Sequence, residues 1–409
     1  MNFTILSFAT LSDFLREIFG ADIPLPVQTY GFFVAMAFIT GTWIMTIEYK
    51  RKEKLGDMGA VYKAVTIGEK PSVKDLVLTF AVSFLISYKL IEIVFNYREF
   101  SDNAQDFILS GRGNFLGGLL AAAAMTWYSW HTKSKKALPK PKQVILKTMP
   151  HQMAGNILVV TGIFGLLGAK LFHNFENWDK FVADPVGELL SFSGLTFFGG
   201  LIVGGFAGAW FLRKNNLSSF HTLDTAACGI PIGYAMGRVG CQLSGDGCWG
   251  IENPSPAPSF IPDWAWASKF PNNVINAGVP IENCNHAHCH ELAAAVFPTS
   301  LYETLMMLTI FSLLFFWLRH KIKLPGMLFG IYLSMQGVER LLIEQIRVNN
   351  KLHFLGMEVT QAQIIATCLI ISGLTVIYLT WKFREKIAEL SAYKEQIPKI
   401  NAEIVEEIE

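Results

Sequence analysis

Nine apolar runs alternate with polar segments along the chain, at about residues 26–47, 76–96, 114–130, 153–173, 189–212, 223–243, 300–318, 326–346 and 362–381. Each is long enough, or nearly so, for one helical crossing of a bilayer, which takes about 20 residues. The third, NFLGGLLAAAAMTWYSW, is short for a crossing. The pattern predicts an all-α polytopic membrane protein with about nine transmembrane helices. The first twenty residues, MNFTILSFATLSDFLREIFG, lack a basic start and carry Asp13, Arg16 and Glu17. They read as an amphipathic helix lying on the membrane rather than a cleaved signal peptide. The chain then divides into an amphipathic start (1–25), six spans (26–243), a long loop or subdomain (244–299), three spans (300–381) and a charged, helix-prone tail (382–409).

Composition agrees with the pattern: 51% of residues are hydrophobic and 16% charged, where a soluble chain carries about 25% charge. The net charge of +1 points to no partner. With no basic stripe or nucleic-acid motif, that class is excluded. The distribution of lysine and arginine does carry information. Seven fall between the first two spans, six between spans three and four, and Arg213, Lys214, Arg319, Lys321 and Lys323 follow spans five and seven. The alternate connections are poor, with only Lys269 in residues 244–298. By the positive-inside rule the N-terminus lies outside and the C-terminus inside.

That orientation brings polar residues of several spans to one depth, just below the outer face. Arg238 lies near the outer end of span six, Arg340, Glu344 and Arg347 toward the outer end of span eight, and Tyr30 at the start of span one. Gly199, Gly200, Tyr302 and Glu303 reach the same level from spans five and seven. Two arginines in hydrocarbon need partners. Arg340 and Glu344 are four apart on one helical face and can pair. Arg238 has Asp246, Glu303 or a bound anion as candidates, and guanidinium suits phosphate because its planar fork donates two parallel hydrogen bonds. In MGRVGCQLSGDGCWG, residues 236–250, the glycines that follow Arg238 allow close backbone approach. Plainer readings stand beside these: an arginine that snorkels to the interface, glycine pairs that pack helices, and Tyr30 in an aromatic belt. Asp224 reads as structural, paired with His221. In the outer loop, NCNHAHCHE (283–291) admits either a metal site or a Cys284–Cys289 disulfide, and the pairing among Cys248, Cys284 and Cys289 stays open.

The motif around Arg238 resembles the signature of the prolipoprotein diacylglyceryl transferase family. Further matches follow in the family's order: QTYGFF in span one, SGLTFFGGLIVG, Asp224 ahead of the arginine, VFPTSLYE, and GVERLLIEQIRV. The resemblance covers span one and roughly residues 153–383. It implies an enzyme of the bacterial inner membrane, working at the periplasmic face on phosphatidylglycerol and the signal peptides of prolipoproteins. The diacylglyceryl group passes to the lipobox cysteine thiol. No motif implies a cofactor or a metal. The catalytic candidates are Arg238, Arg340 and Tyr30. The substrate-binding candidates are Gly199, Gly200, Gly240, Cys241, Asp246, Tyr302, Glu303, Glu344 and Arg347. On this reading the lipid phosphate neutralises Arg238.

Several positions depart from the family pattern. Phe198 stands where a histidine often serves as base, Cys241 stands for an asparagine, Asp246 for a glutamate and Phe297 for a histidine. Residues 76–130 look like an insertion of two spans. Two other readings remain open: an inactive relative that binds phospholipid, and a transporter of lipids or small molecules. The transporter reading expects internal symmetry and polar groups at mid-membrane, and the sequence offers neither.

Overall fold

The computed structural model describes residues 7–407 apart from 22, 24, 26, 103–106, 109, 191–195, 285, 350, 355–356 and 395–404. Helices occupy every predicted span. They are α1 (Leu11–Phe19), α2 (Thr29–Lys54), α3 (Val73–Phe95), α4 (Phe115–Lys135), α5 (Ala154–Glu176), α6 (Phe197–Lys214), α7 (Ser219–Ser244), α8 (Thr299–Ser312), α9 (Met327–Glu344) and α10 (Gln361–Lys382). Among the described residues, five helical stretches are long and apolar enough to cross a membrane: Thr29–Lys54, Val73–Phe95, Pro150–Glu176, Thr299–Lys321 and Gln361–Lys382. The third and fourth of these extend α5 and α8 at their ends. Helices α7 and α9, which carry Asp224, Glu339 and Glu344 among their buried residues, are not among the five.

Local chemistry sets the helix ends. Thr10 and Asp13 form a reciprocal cap on α1, which stops at left-handed Gly20. Asn114 caps α4 through the amide of Gly117, so GRGNFLGG is a turn leading into a helix. Thr360 and Gln363 cap α10 in the same reciprocal way. Each cap satisfies amides that a helix start leaves without partners.

Three expectations are corrected. The amphipathic helix is shorter than 1–25, because Ser7 and Phe8 donate instead to the carbonyls of Pro271 and Leu243. Residues 1–6 lie outside the described residues. Span five starts at Phe197 rather than 189, after a separate short helix at Pro185–Leu190. The fold is mostly helical but not purely so. Strand β1 (Val61–Ile67) pairs antiparallel with β2 (Lys142–Thr148), and small two-stranded ladders form in the loops. Both β1 and β2 fall in lysine-rich connections, where hydropathy shows no span and gives no sign of a strand.

The helices pack as antiparallel neighbours. A Cβ on Gly41 of α2 would come within 3.3 Å of the Gly229 carbonyl of α7. Further along the same pair, Phe33 meets Gly240 and Lys52 meets His221. Small residues at such seams let backbones close in, and dispersion replaces the hydrophobic drive that lipid does not supply. The core sits where α2, α7, α8 and α9 meet, around Ile44, Ala227, Met307, Leu314 and Tyr332. This register fixes Tyr30 at the Arg238 end of the bundle and Lys52 at the Asp224 end.

Candidate functional site

Helix α7 ends in a turn that needs two left-handed residues, Gly245 (φ 63°) and Gly247 (φ 93°). Any other residue there costs about 1–2 kcal/mol. The turn folds Cys248 back over the last helical turn. Thr299 and Ser300, at the start of α8, donate their hydroxyls to the Cys248 carbonyl at 2.7 and 2.9 Å. Through those bonds the loop is tied to the helix that carries Glu303.

Glu303 is fully buried, and three arginines converge on it. Arg238 Nε lies 2.8 Å from Oε2, while Arg340 and Arg347 reach Oε1 at 3.3 and 3.2 Å. A buried carboxylate is tolerated when opposite charges surround it. Arg340 also pairs with Glu344 at 2.9 Å. Glu344 is fixed in turn by Asn349 (2.7 Å) and the Thr360 hydroxyl (2.5 Å). Three guanidiniums and the two carboxylates they pair with leave one positive charge in excess. The arginine side chains are 18, 20 and 18% exposed, so the cations reach an accessible face while the acid does not. Each guanidinium has five N–H donors. Arg238 donates one terminal nitrogen to the Tyr234 hydroxyl (3.0 Å) and faces Glu303 with Nε as an ion pair.

Most of the predicted residues meet here. Arg238, Arg340, Arg347, Glu303 and Glu344 form the cluster. Tyr30 packs against Gly240, and Cys241, Cys248, Asp246 and Arg238 are its ionisable neighbours. The ligand atoms of Cys241, Asp246 and Cys248 all lie within 4.8 Å of one another, and Arg347 comes within 4.0 Å of the Cys248 sulfur. Beside the cluster, a groove of about 360 Å³ runs between α8 and α9, walled by Met306, Ile310, Met335, Val338 and Leu342.

Other predicted residues go elsewhere. Gly199 and Gly200 pack against Gly168 and Gly165 of α5. They serve a helix seam, as the plainer reading had it. The Tyr302 hydroxyl donates to the Trp266 carbonyl of the 244–299 loop at 3.3 Å. Asp224 is held not by His221 but by Lys52 at 3.6 Å and by the backbone amides of Gly326 and Phe329. The counter-ion of Arg238 in this structure is Glu303, one of the three candidates. Cys284 and Cys289 form a disulfide, which removes two of the ligands that a metal reading of NCNHAHCHE needs.

Three residues escaped the sequence reading. Tyr234 lies one turn before Arg238, with its ring 5.0 Å from the guanidinium; the i, i+4 spacing was the available signal. Glu339 is buried beside Arg340, accepts from Gln336 at 3.0 Å, and keeps its second oxygen without a hydrogen-bond partner among the described residues. Cys248 was visible only as one of several cysteines in the 244–299 loop.

Known proteins match this chain over the same region. The family model for prolipoprotein diacylglyceryl transferase matches residues 139–379, starting downstream of α3 and α4. The chain is similar to the phosphatidylglycerol–prolipoprotein diacylglyceryl transferase of Leptospira interrogans, at 29% identity over 216 residues. That alignment covers 47% of this chain and 61% of the relative's length. It is also similar to the protein of that name from Dehalococcoides mccartyi, at 31% identity over 54% of this chain and 74% of the relative. A Vibrio vulnificus relative of that name is 28% identical over 56% and 73%. With more than half of its length inside the match, the chain belongs to the prolipoprotein diacylglyceryl transferase family.

Proposed function

We propose that the chain transfers a diacylglyceryl group from phosphatidylglycerol to the lipobox cysteine of prolipoproteins, giving a thioether and glycerol phosphate. The observation that carries this reading is the group of three partly exposed arginines around one buried glutamate, with one positive charge in excess. Phosphate in a lipid headgroup is the anion that matches such forks. The names of the similar proteins supply the reaction.

In this reading all nine apolar helices cross the membrane, with the N-terminus outside and the C-terminus inside. The arginine cluster then lies near the periplasmic face of the inner membrane, at headgroup depth, and the 244–299 loop lies above it. Arg238 and Arg340 hold the phosphate, and Tyr30 orients the headgroup. The apolar groove between α8 and α9 takes an acyl chain. The thiolate attacks the glyceryl carbon that bears the phosphate, the C–O bond breaks, and its electron pair leaves on the phosphate oxygen. Arginines aimed at that oxygen stabilise the developing charge. Glu303 keeps the guanidiniums gathered before the lipid arrives.

The test is direct. Purified protein is incubated with phosphatidylglycerol and a lipobox peptide, and the peptide is weighed. A gain of one diacylglyceryl group supports the reading. No gain, with lipid still bound, favours the inactive phospholipid-binding relative; movement of lipid across vesicles without peptide modification favours a transporter.

A further inference from the structure

The reaction just proposed needs a thiolate, and Phe198 stands where the resemblance expects a histidine base. Cys241, Asp246 and Cys248 are the described residues placed to meet that need. Their three ligand atoms lie within 4.8 Å of one another, and among the described residues they are the only such group of histidine, cysteine or acidic side chains. A tetrahedral zinc ion, with bonds of about 2.3 Å to sulfur, sets its ligand atoms about 3.8 Å apart. Small side-chain rotations therefore close the cluster on an ion. The frame around it is built. Asp246 accepts the Cys248 amide through Oδ1 at 3.1 Å, which leaves its other oxygen for a ligand. Gly245 and Gly247 shape the loop, and Thr299 and Ser300 hold its far end. Both cysteines are free thiols, although Cys284 and Cys289 in the same outer loop region are joined as a disulfide. A bound metal keeps a close thiol pair from oxidising in that way.

We infer that Cys241, Asp246 and Cys248 form a site for a divalent transition metal, zinc by its donor set, whose open fourth position takes the thiol of the substrate cysteine. The inference rests on the transfer reaction proposed above. Three protein ligands leave one tetrahedral position for substrate, and thiolate ligands select zinc over harder cations. Two thiolates and one carboxylate around a divalent ion leave one negative charge. The single positive excess of the arginine cluster, whose Arg347 guanidinium lies 4.0 Å from Cys248, offsets it. A coordinated thiol loses its proton at neutral pH. That proton passes through water to the phosphate oxygen that leaves. Sulfur forms the new bond to the glyceryl carbon as the carbon–oxygen bond breaks, so charge and atoms balance. The thioether product is neutral, binds the ion more weakly than a thiolate, and frees the position.

The test uses the full chain, purified anaerobically and stripped with a chelator, then titrated with Co²⁺ and with Zn²⁺. One cobalt per chain is expected, with a sulfur-to-cobalt charge-transfer band and the visible bands of a tetrahedral ion, all lost on adding zinc. Cys248→Ser and Asp246→Asn, each checked for native helix content, should lower cobalt affinity by more than about tenfold; His288→Ala in the outer loop should not. A lipobox peptide should shift the visible bands, while the same peptide with serine for cysteine should leave them unchanged. Absence of a saturable thiolate band, an unchanged band in the Cys241→Ser/Cys248→Ser protein, or a Cys241–Cys248 disulfide in the purified chain overturns the site. Diacylglyceryl transfer at full rate by stripped protein overturns the metal and leaves the reaction standing. A normal cobalt site in protein that adds no mass to the peptide leaves the metal standing and overturns the reaction.

Discussion

Among the described residues, a buried ion cluster lies at each end of the α2–α7 pair, and the two are built to different plans. At the Asp224 end the cations serve the acids. Glu48 is clamped by Arg51 through two nitrogens at 2.8 and 2.6 Å and by Arg319 at 3.0 Å. Asp224 takes Lys52 and two amides from the first turn of α9. At the Arg238 end one acid, Glu303, is shared by all three cations, and loosely. Its Oε1 contacts are 3.3 and 3.2 Å long, and Arg238 Nε, although 2.8 Å from Oε2, stands out of line for a hydrogen bond. The first arrangement locks helices. The second gathers charge that an arriving anion can take over. Buried ion pairs alone therefore do not mark a site; how closely the shared carboxylate is held, Glu48 by hydrogen bonds of 2.6–3.0 Å and Glu303 by longer ones, separates a fastener from a receptor.

Substitutions at the two ends should part along that line. Glu48→Ala removes the fully buried acid that Arg51 and Arg319 share, a loss of about 3 kcal/mol, the low end for a broken buried pair because both arginines are partly exposed. It should appear as a lower unfolding midpoint in detergent, with unchanged transfer rate per folded molecule. Arg238→Ala should do the reverse. Two arginines still neutralise Glu303, so the midpoint stays near wild type, while transfer falls by about 10²–10³-fold as a charge-stabilising donor is lost. Full activity in that variant would falsify the phosphate role. Asp224→Asn keeps shape but weakens the tie to α9, and should cost about 1–3 kcal/mol of stability with little effect on rate. The smallest change expected is for Arg340→Lys, which keeps charge but loses the fork. Transfer should drop about tenfold, the equivalent of one charge-assisted hydrogen bond, and the ratio of rate to lipid affinity would show which step suffers.

Level along the bundle was legible in the sequence and direction around the helix axis was not. Hydropathy and lysine–arginine asymmetry placed Tyr30, Arg238, Glu303 and Arg340 at one level, because a helix climbs about 1.5 Å per residue whatever its neighbours. They could not say that Gly199 and Gly200 turn toward α5, since azimuth is decided by packing. The same limit hid Glu303 as the partner of all three arginines, and Cys248 as the neighbour of Cys241, which depends on a turn of two left-handed glycines. The strands β1 and β2 were missed because they are short, do not alternate, and lie among lysines in connections that charge had already marked as loops.

The bond from Gly326 to Asp224 has one more result. Fourteen residues separate Asp224 from Arg238, and fourteen separate Gly326 from Arg340. Two parallel rods thus rise about 21 Å from a shared datum before each presents its guanidinium. The carboxylate acts as a levelling pin, so inserting or deleting one residue in either rod would put its arginine out of step with the other by about 1.5 Å and about 100°.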